Sequence, residues 1–226
     1  MAILASDKSD RLHRGGRGTL DEQVLKHYRA LLYGLPGWSS GARDMLRTLG
    51  ITSCRRREGV STVASHLALS AAESTQRQVL LVDANLASPY LHKFFRIQRG
   101  PGLAEALMQP SQVAKCIQPS QNPRLSLLTA GRAEDGAARA LEVDQLSSLL
   151  ESLHTHFDLV IFDLPSGIMG NSTLRLASLL DGVLLVVEAE RTRWELARQM
   201  KDFMDRANIN LLGAVLNRHD NQPLRG

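Results

Sequence analysis

Residues 54–62 read Cys-Arg-Arg-Arg-Glu-Gly-Val-Ser-Thr. The frame is that of a phosphate-binding turn, Gly-x-x-x-x-Gly-Lys-Ser/Thr, placed between a strand and a helix. In such a turn backbone N–H groups at the helix start point at phosphate oxygens, and the helix dipole favours their charge. Glycines let the chain wrap closely, the lysine adds a point charge, and the Ser/Thr hydroxyl holds Mg²⁺. Gly59, Ser61 and Thr62 stand where that chemistry needs them, and Val60 occupies the lysine position. Arg57 precedes as the nearest cation; a guanidinium fork binds phosphate well, so one of Arg55, Arg56 and Arg57 could replace the lysine. The alternative is a solvated basic turn, and for Gly-Val-Ser-Thr itself an ordinary helix cap on Ser61 or Thr62. On local grounds the cap is the commoner outcome.

Three polar residues close buried-looking strands further on: Asp83 after Val79-Leu-Leu-Val, Asp163 after Leu159-Val-Ile-Phe, and Asn217 after Leu211–Leu216. In a sheet of alternating strands and helices, such strand-end polar residues lie where ligands bind. The two aspartates also have a plainer alternative, capping the helix that follows each strand, as Asp163-Leu-Pro could.

These residues must be positioned by alternating elements. The spacing predicts a helix from Leu20 to Tyr33, with Val24, Leu25, Tyr28, Leu31 and Leu32 near one face, ended by Gly34-Leu-Pro-Gly37. It then predicts strands at 48–53, 79–83, 125–129, 159–163, 183–187 and 211–216, and helices near 61–73, 141–155 and 193–207. Strands apolar on both faces and separated by helices call for an α/β fold, a single domain with a mostly parallel central sheet and helices on both faces. Ligands of such sheets sit at the carboxyl ends of the strands, where Asp83, Asp163 and Asn217 fall. The expected organisation is a flexible basic arm over 1–18, a domain over 19–220 and a short tail over 221–226.

With 226 residues, 43% of them apolar, the chain can bury one substantial core. Its net charge is +4 and the basic side is nearly all arginine, with lysines only at 8, 26, 93, 115 and 201. Cys54 and Cys116 offer neither metal-ligand spacing nor a disulfide framework. The first 18 residues lack the apolar stretch of a signal peptide, and no apolar run has the length of a membrane helix. The expected location is therefore the cytoplasm, with any recruitment to a membrane made through a partner or the arginine-rich arm. No helix-turn-helix or base-reading motif points to nucleic acid.

The order of segments carries a resemblance. Val79-Leu-Leu-Val-Asp-Ala-Asn-Leu-Ala, Gly100-Pro-Gly-Leu-Ala-Glu-Ala-Leu107, Phe157-Asp-Leu-Val-Ile-Phe-Asp-Leu-Pro165 and Leu211-Leu-Gly-Ala-Val-Leu-Asn217 follow the loop in that sequence. From about Leu20 to Arg218 the chain resembles the bacterial tyrosine autokinases (BY-kinases) of capsule and exopolysaccharide export, within the P-loop ATPases that include MinD and ParA. The resemblance implies a P-loop NTPase-like fold, ATP or ADP with Mg²⁺ as cofactor, and an inner-membrane polysaccharide co-polymerase as partner. It implies a nucleotide contact by Gly59, Ser61 and Thr62 and, at the adenine ring, by Asn217, with Ser61, Asp83 and Asp163 toward the metal; Arg57 joins the cofactor-binding set on its own chemistry, as a stand-in for the lysine.

Several positions depart from the family. Its loop reads Pro-Gly-x-Gly-Lys-Ser/Thr, against Arg56-Arg-Glu-Gly-Val-Ser61 here. Its Asp-x-Asp-x-Arg becomes Asp83-Ala-Asn-Leu-Ala87, and its tyrosine-rich tail has no counterpart, the only tyrosines being Tyr28, Tyr33 and Tyr90. Its assembly motif Glu-x-x-Arg-x-x-Arg becomes Gln23, Lys26 and Arg29, a softened basis for a homo-oligomer. A lysine–phosphate contact contributes about 1.5–3 kcal/mol, and loss of one preorganised donor costs on the order of 10²–10³ in rate. The expectation is therefore no catalytic residue and a weakened or lost nucleotide site, in a pseudokinase of polysaccharide export that acts by binding. The competing expectations are a working autokinase or weak ATPase that uses Arg55–Arg57, and a MinD/ParA-like positioning factor.

Overall fold

The computed structural model describes residues 3–7, 22–38, 45–132, 143–167 and 171–219. Eight strands form one sheet: β1 (Ile3–Asp7), β2 (Thr48–Ser53), β3 (Val79–Asp83), β4 (Gln118–Pro119), β5 (Leu125–Leu128), β6 (Leu159–Asp163), β7 (Gly182–Glu188) and β8 (Leu211–His219). Their order is β1-β8-β7-β2-β6-β3-β5-β4, and every pair is parallel except β4 with β5. Among the described residues seven α-helices surround it: α1 (Glu22–Tyr33), α2 (Val60–Ser74), α3 (Leu91–Phe94), α4 (Leu103–Met108), α5 (Val143–His154), α6 (Asn171–Leu179) and α7 (Trp194–Arg206).

Alternation along the strands explains why both faces are covered. In β3, Val79 and Leu81 join a core with α1 and α2 residues such as Leu32, Leu67 and Ala68. Leu80 and Val82 point the other way, into a second core with Leu107, Leu149 and Leu176. A period of two with both sets buried is what a parallel sheet between helical layers demands. Helix α2 lies between sheet and α1, so its buried stretch from Val63 to Ala72 is rich in alanine, and Ser70 Oγ donates to the Leu25 carbonyl of α1 at 3.3 Å.

Most predicted elements are present with ends shifted by a residue or two. The last strand runs further than expected, so Asn217 lies inside β8 rather than just beyond it. The periodicity missed the short helices α3 and α4, the helix α6 and the 3₁₀ turn Pro110–Lys115, each with too few turns for a pattern to accumulate, except α6. The flexible arm expected over 1–18 needs correction at its start. Ile3–Asp7 is a strand whose backbone pairs with β8, Ile3 opposite Ala214. An otherwise unpaired sheet edge offers a row of N–H and C=O groups, and a short apolar segment is suited to fill it. Arg11, Arg14 and Arg17 and the tail 221–226 lie outside the described residues.

Candidate functional site

Strand β2 runs through the middle of the sheet, between β7 and β6, and is buried along its whole length. Its carboxyl end delivers the chain into the turn 54–59, and α2 begins at Val60. The residue preceding the helix is Gly59, at φ 94°, and no side chain caps the helix start. The capping alternative for Ser61 and Thr62 is thereby overturned: both sit inside the first turn. By helix geometry the N–H groups of Val60, Ser61 and Thr62 lack an intrahelical acceptor and face out of the helix end.

Side chains close the turn from within. Ser53 Oγ donates to the Arg55 carbonyl at 2.7 Å, and the Arg55 N–H donates to Glu58 Oε2 at 2.8 Å. Thr192 Oγ1 donates to Glu58 Oε1, and Asn217 Nδ2 donates to the Glu58 carbonyl at 2.7 Å. Arg57, which fills the place of the family's first loop glycine, has φ 70°. The turn thus keeps the left-handed conformation that a glycine adopts freely, at about 1–2 kcal/mol for a residue with a Cβ.

Arg55, Arg56 and Arg57 are all exposed on the turn. Val60 is half-buried and packs against the α1/α2 core, so the side chain at the lysine position faces apolar neighbours. Asn217 is buried, and its amide nitrogen supports the turn.

Beside the turn stand two buried carboxylates. Asp83 and Asp163 are register partners at the ends of β3 and β6, and both are fully buried. Asp83 Oδ2 accepts N–H bonds from Tyr90 at 2.9 Å and Leu91 at 3.0 Å, so this oxygen does cap the helix that follows, α3. Among the described residues Asp83 Oδ1 and both oxygens of Asp163 have no hydrogen-bond partner, so Asp163 caps none of the described helices. Burial, then the neighbouring Asp83 charge, pushes Asp163 up to about 8; the Ser61 hydroxyl opposes the rise from nearby but does not satisfy the carboxylate geometrically. Burial pushes Asp83 up to about 6 against the pull of the Leu91 and Tyr90 N–H groups. Cys54, first in the turn, is a thiol pushed up to about 11 by burial and by Glu58, and so is held away from thiolate chemistry.

The structure therefore brings Gly59, Ser61, Thr62, Asp83, Asp163 and Asn217 to the carboxyl-end side of the sheet, with Arg57 exposed on the same turn. Sequence reasoning missed Glu58 and Thr192. Glu58 stood in the motif, but an acidic residue in a turn ordinarily reads as solvated. Thr192 lies 134 residues away, with no local signal.

Known proteins bear on this arrangement. A family model described as "ParA: NUBPL iron-transfer P-loop NTPase" matches residues 45–221. The tyrosine-protein kinase YwqD of Bacillus subtilis is 31% identical over 216 residues, covering 95% of this chain and 90% of that protein. The tyrosine-protein kinase ptk of Acinetobacter johnsonii is 26% identical over 87% of this chain, which spans only 26% of that longer protein. Among solved structures, the kinase domain of Escherichia coli tyrosine kinase ETK superposes with TM-score 0.81 at 23% identity, covering 100% of this chain and 92% of that one. MinD from Pyrococcus horikoshii, complexed with Mg-ADP, superposes with TM-score 0.67 at 21% identity over 79% of this chain and 72% of that one. At those identities the two structures attest the fold.

Proposed function

Since the chain belongs to the ParA-type P-loop NTPases and, among them, to the bacterial tyrosine kinase family, we propose that it is a Mg²⁺-nucleotide-binding member without efficient phosphoryl transfer, acting by binding in capsule or exopolysaccharide export. The observation that carries this reading is the set of three unpaired carboxylate oxygens, Asp83 Oδ1 and both of Asp163, beside Ser61. Buried polar atoms are nearly always satisfied, and an orphaned carboxylate pair points to a cation. A hard divalent ion suits these oxygens, with Ser61, Asp83 and Asp163 as its protein partners and nucleotide phosphates completing its surroundings.

The remaining parts bind rather than react. N–H groups of Gly59 to Thr62 supply the phosphate cradle, and the bound metal ion would neutralise phosphate charge. Val60 adds no charge at the phosphates, the three arginines are exposed, and Asn85 stands where a second carboxylate would order metal or accept a proton. All these losses fall on one reaction centre.

The partner in this reading is an inner-membrane polysaccharide co-polymerase, which would recruit the domain from the cytoplasm to the membrane. No helix among the described residues is long and apolar enough to cross a membrane. Lys26 and Arg29 are exposed on α1, beside its buried Leu25, Tyr28 and Leu32, and offer a basic flank for a homo-oligomer. Calorimetric titration with ADP and ATP, with and without Mg²⁺, tests the site. Mg²⁺-dependent saturation without turnover is the expected result. Absence of binding at millimolar nucleotide overturns it, and rapid tyrosine phosphorylation would establish the working kinase instead.

A further inference from the structure

Glu58 is only 1% exposed although it sits in the turn that faces the ligand side of the sheet. Both of its carboxylate oxygens are used, one on the Arg55 N–H and one on the Thr192 hydroxyl. We propose that Glu58 and Thr192 are a positioning pair that holds the phosphate turn in its binding shape and ties it to the segment leading into α7. The inference rests on the nucleotide-site reading above and names what keeps that site formed.

Thr192 can serve as an anchor because its own segment is fixed. The Thr192 N–H donates to the Glu188 carbonyl at 3.1 Å, Arg191 Nη1 to Glu188 Oε2 at 2.9 Å, and the Ala189 N–H to the Asn217 carbonyl at 2.9 Å. The turn is therefore gripped from the segment between β7 and α7 and from β8 together, by Thr192 on the Glu58 carboxylate and by Asn217 on the Glu58 carbonyl. An acidic group beside a phosphate site would repel its ligand if its charge were free. Here two donors engage its oxygens and hold them within the turn, and the adjacent helix start favours the charge.

Two features of the turn make such a grip necessary. Arg57 is held at φ 70°, a conformation that persists only where the surroundings over-determine it. Without a lysine to draw phosphate in, binding depends more on N–H groups that are already aimed, so the cost of ordering the turn weighs directly on affinity.

The test uses the full chain and three substitutions. Thr192→Val keeps the shape and removes the hydroxyl, Thr192→Ser keeps the hydroxyl, and Glu58→Gln removes the charge. In the absence of nucleotide, hydrogen exchange at the Arg55 amide is expected to quicken roughly ten-fold or more in Thr192→Val, from loss of one charge-assisted bond, and to return with Thr192→Ser. Mg-ADP affinity is expected to fall about ten-fold in Thr192→Val and to recover in Thr192→Ser. The loss from Thr192→Val should be smaller in a Glu58→Gln chain than in the unmodified one, because the bond it removes there is no longer charge-assisted. Unchanged exchange in Thr192→Val, or a serine that fails to rescue, overturns the positioning pair. If the unmodified chain binds no Mg-ADP, the nucleotide reading fails, and the exchange measurement still decides the tether.

Discussion

A Cβ placed on Gly59 would stand 2.1 Å from Asn217 Nδ2, the same atom that donates to the Glu58 carbonyl. The glycine at the helix start and the asparagine in β8 are thus one device: the absence of a side chain at 59 is what admits the amide beneath the turn. Gly59 also sits at φ 94°, where a side chain is strained by about 1–2 kcal/mol.

Gly59→Ala should therefore destabilise by roughly 2–3 kcal/mol, the strain together with the displaced hydrogen bond. In a domain of this size that is a fall of about 4–12 °C in melting temperature. Asn217→Ala should cost less, about 1 kcal/mol, since it leaves the backbone undisturbed. Thermal melts of both variants check the order.

The Asp83–Asp163 pair predicts a pH dependence of unusual direction for carboxylates. Asp163 is raised from its ordinary value of 3.8 to about 8, and Asp83 to about 6. Between the ordinary value and the raised one the folded chain holds protons that the unfolded chain has released. The pair's contribution to stability is therefore fullest in acid and declines as pH climbs from about 4 toward 8. Asp163→Asn should flatten that decline and raise the melting temperature at pH 8, by about 2–8 °C for 1–2 kcal/mol of relieved burial cost. It should also abolish the Mg²⁺ dependence of nucleotide binding.

Val60→Lys restores the missing charge at a half-buried position. Mg-ADP affinity should rise roughly 10- to 100-fold, matching 1.5–3 kcal/mol for one charged contact. The gain in binding should come without proficient turnover, because Asn85 is still amide. Calorimetry on Val60→Lys, and a phosphate-release assay on Val60→Lys with Asn85→Asp, separate the two contributions.

Replacing Arg55, Arg56 and Arg57 together by alanine tests whether an exposed arginine stands in for the lysine. With all three exposed, nucleotide affinity at fixed salt should change by less than about five-fold, as for exposed charges generally. A loss of about 10- to 100-fold would place a guanidinium on the phosphates and revive the working-kinase alternative. In that event phosphate should appear on Tyr33, which is 56% exposed, rather than on Tyr28, which is 3% exposed.

The sheet was legible in the sequence because its signals are local. Val79–Asp83 and Leu159–Asp163 are apolar on both faces, and that pattern needs no knowledge of neighbours to read as a covered parallel strand. The same strands end in aspartates, so the placement of Asp83 and Asp163 at one sheet edge follows from topology alone. Gly59, Ser61 and Thr62 were visible as a spacing, and Val60 as a departure from it.

What only the tertiary structure decided are the contacts between distant segments. The two roles of Asp83 and Asp163, one half-capping α3 and the other wholly unpaired, depend on which N–H groups the crossovers bring near. Whether Val60 faces the core or the cradle, and whether the arginines are exposed, depends on how α1 packs over α2. Glu58 became a buried, doubly bonded group only because β7 and β8 carry Thr192 and Asn217 to it across the sheet edge. Periodicity reports each element's own faces; a hydrogen bond across 134 residues exists only once the sheet order is fixed.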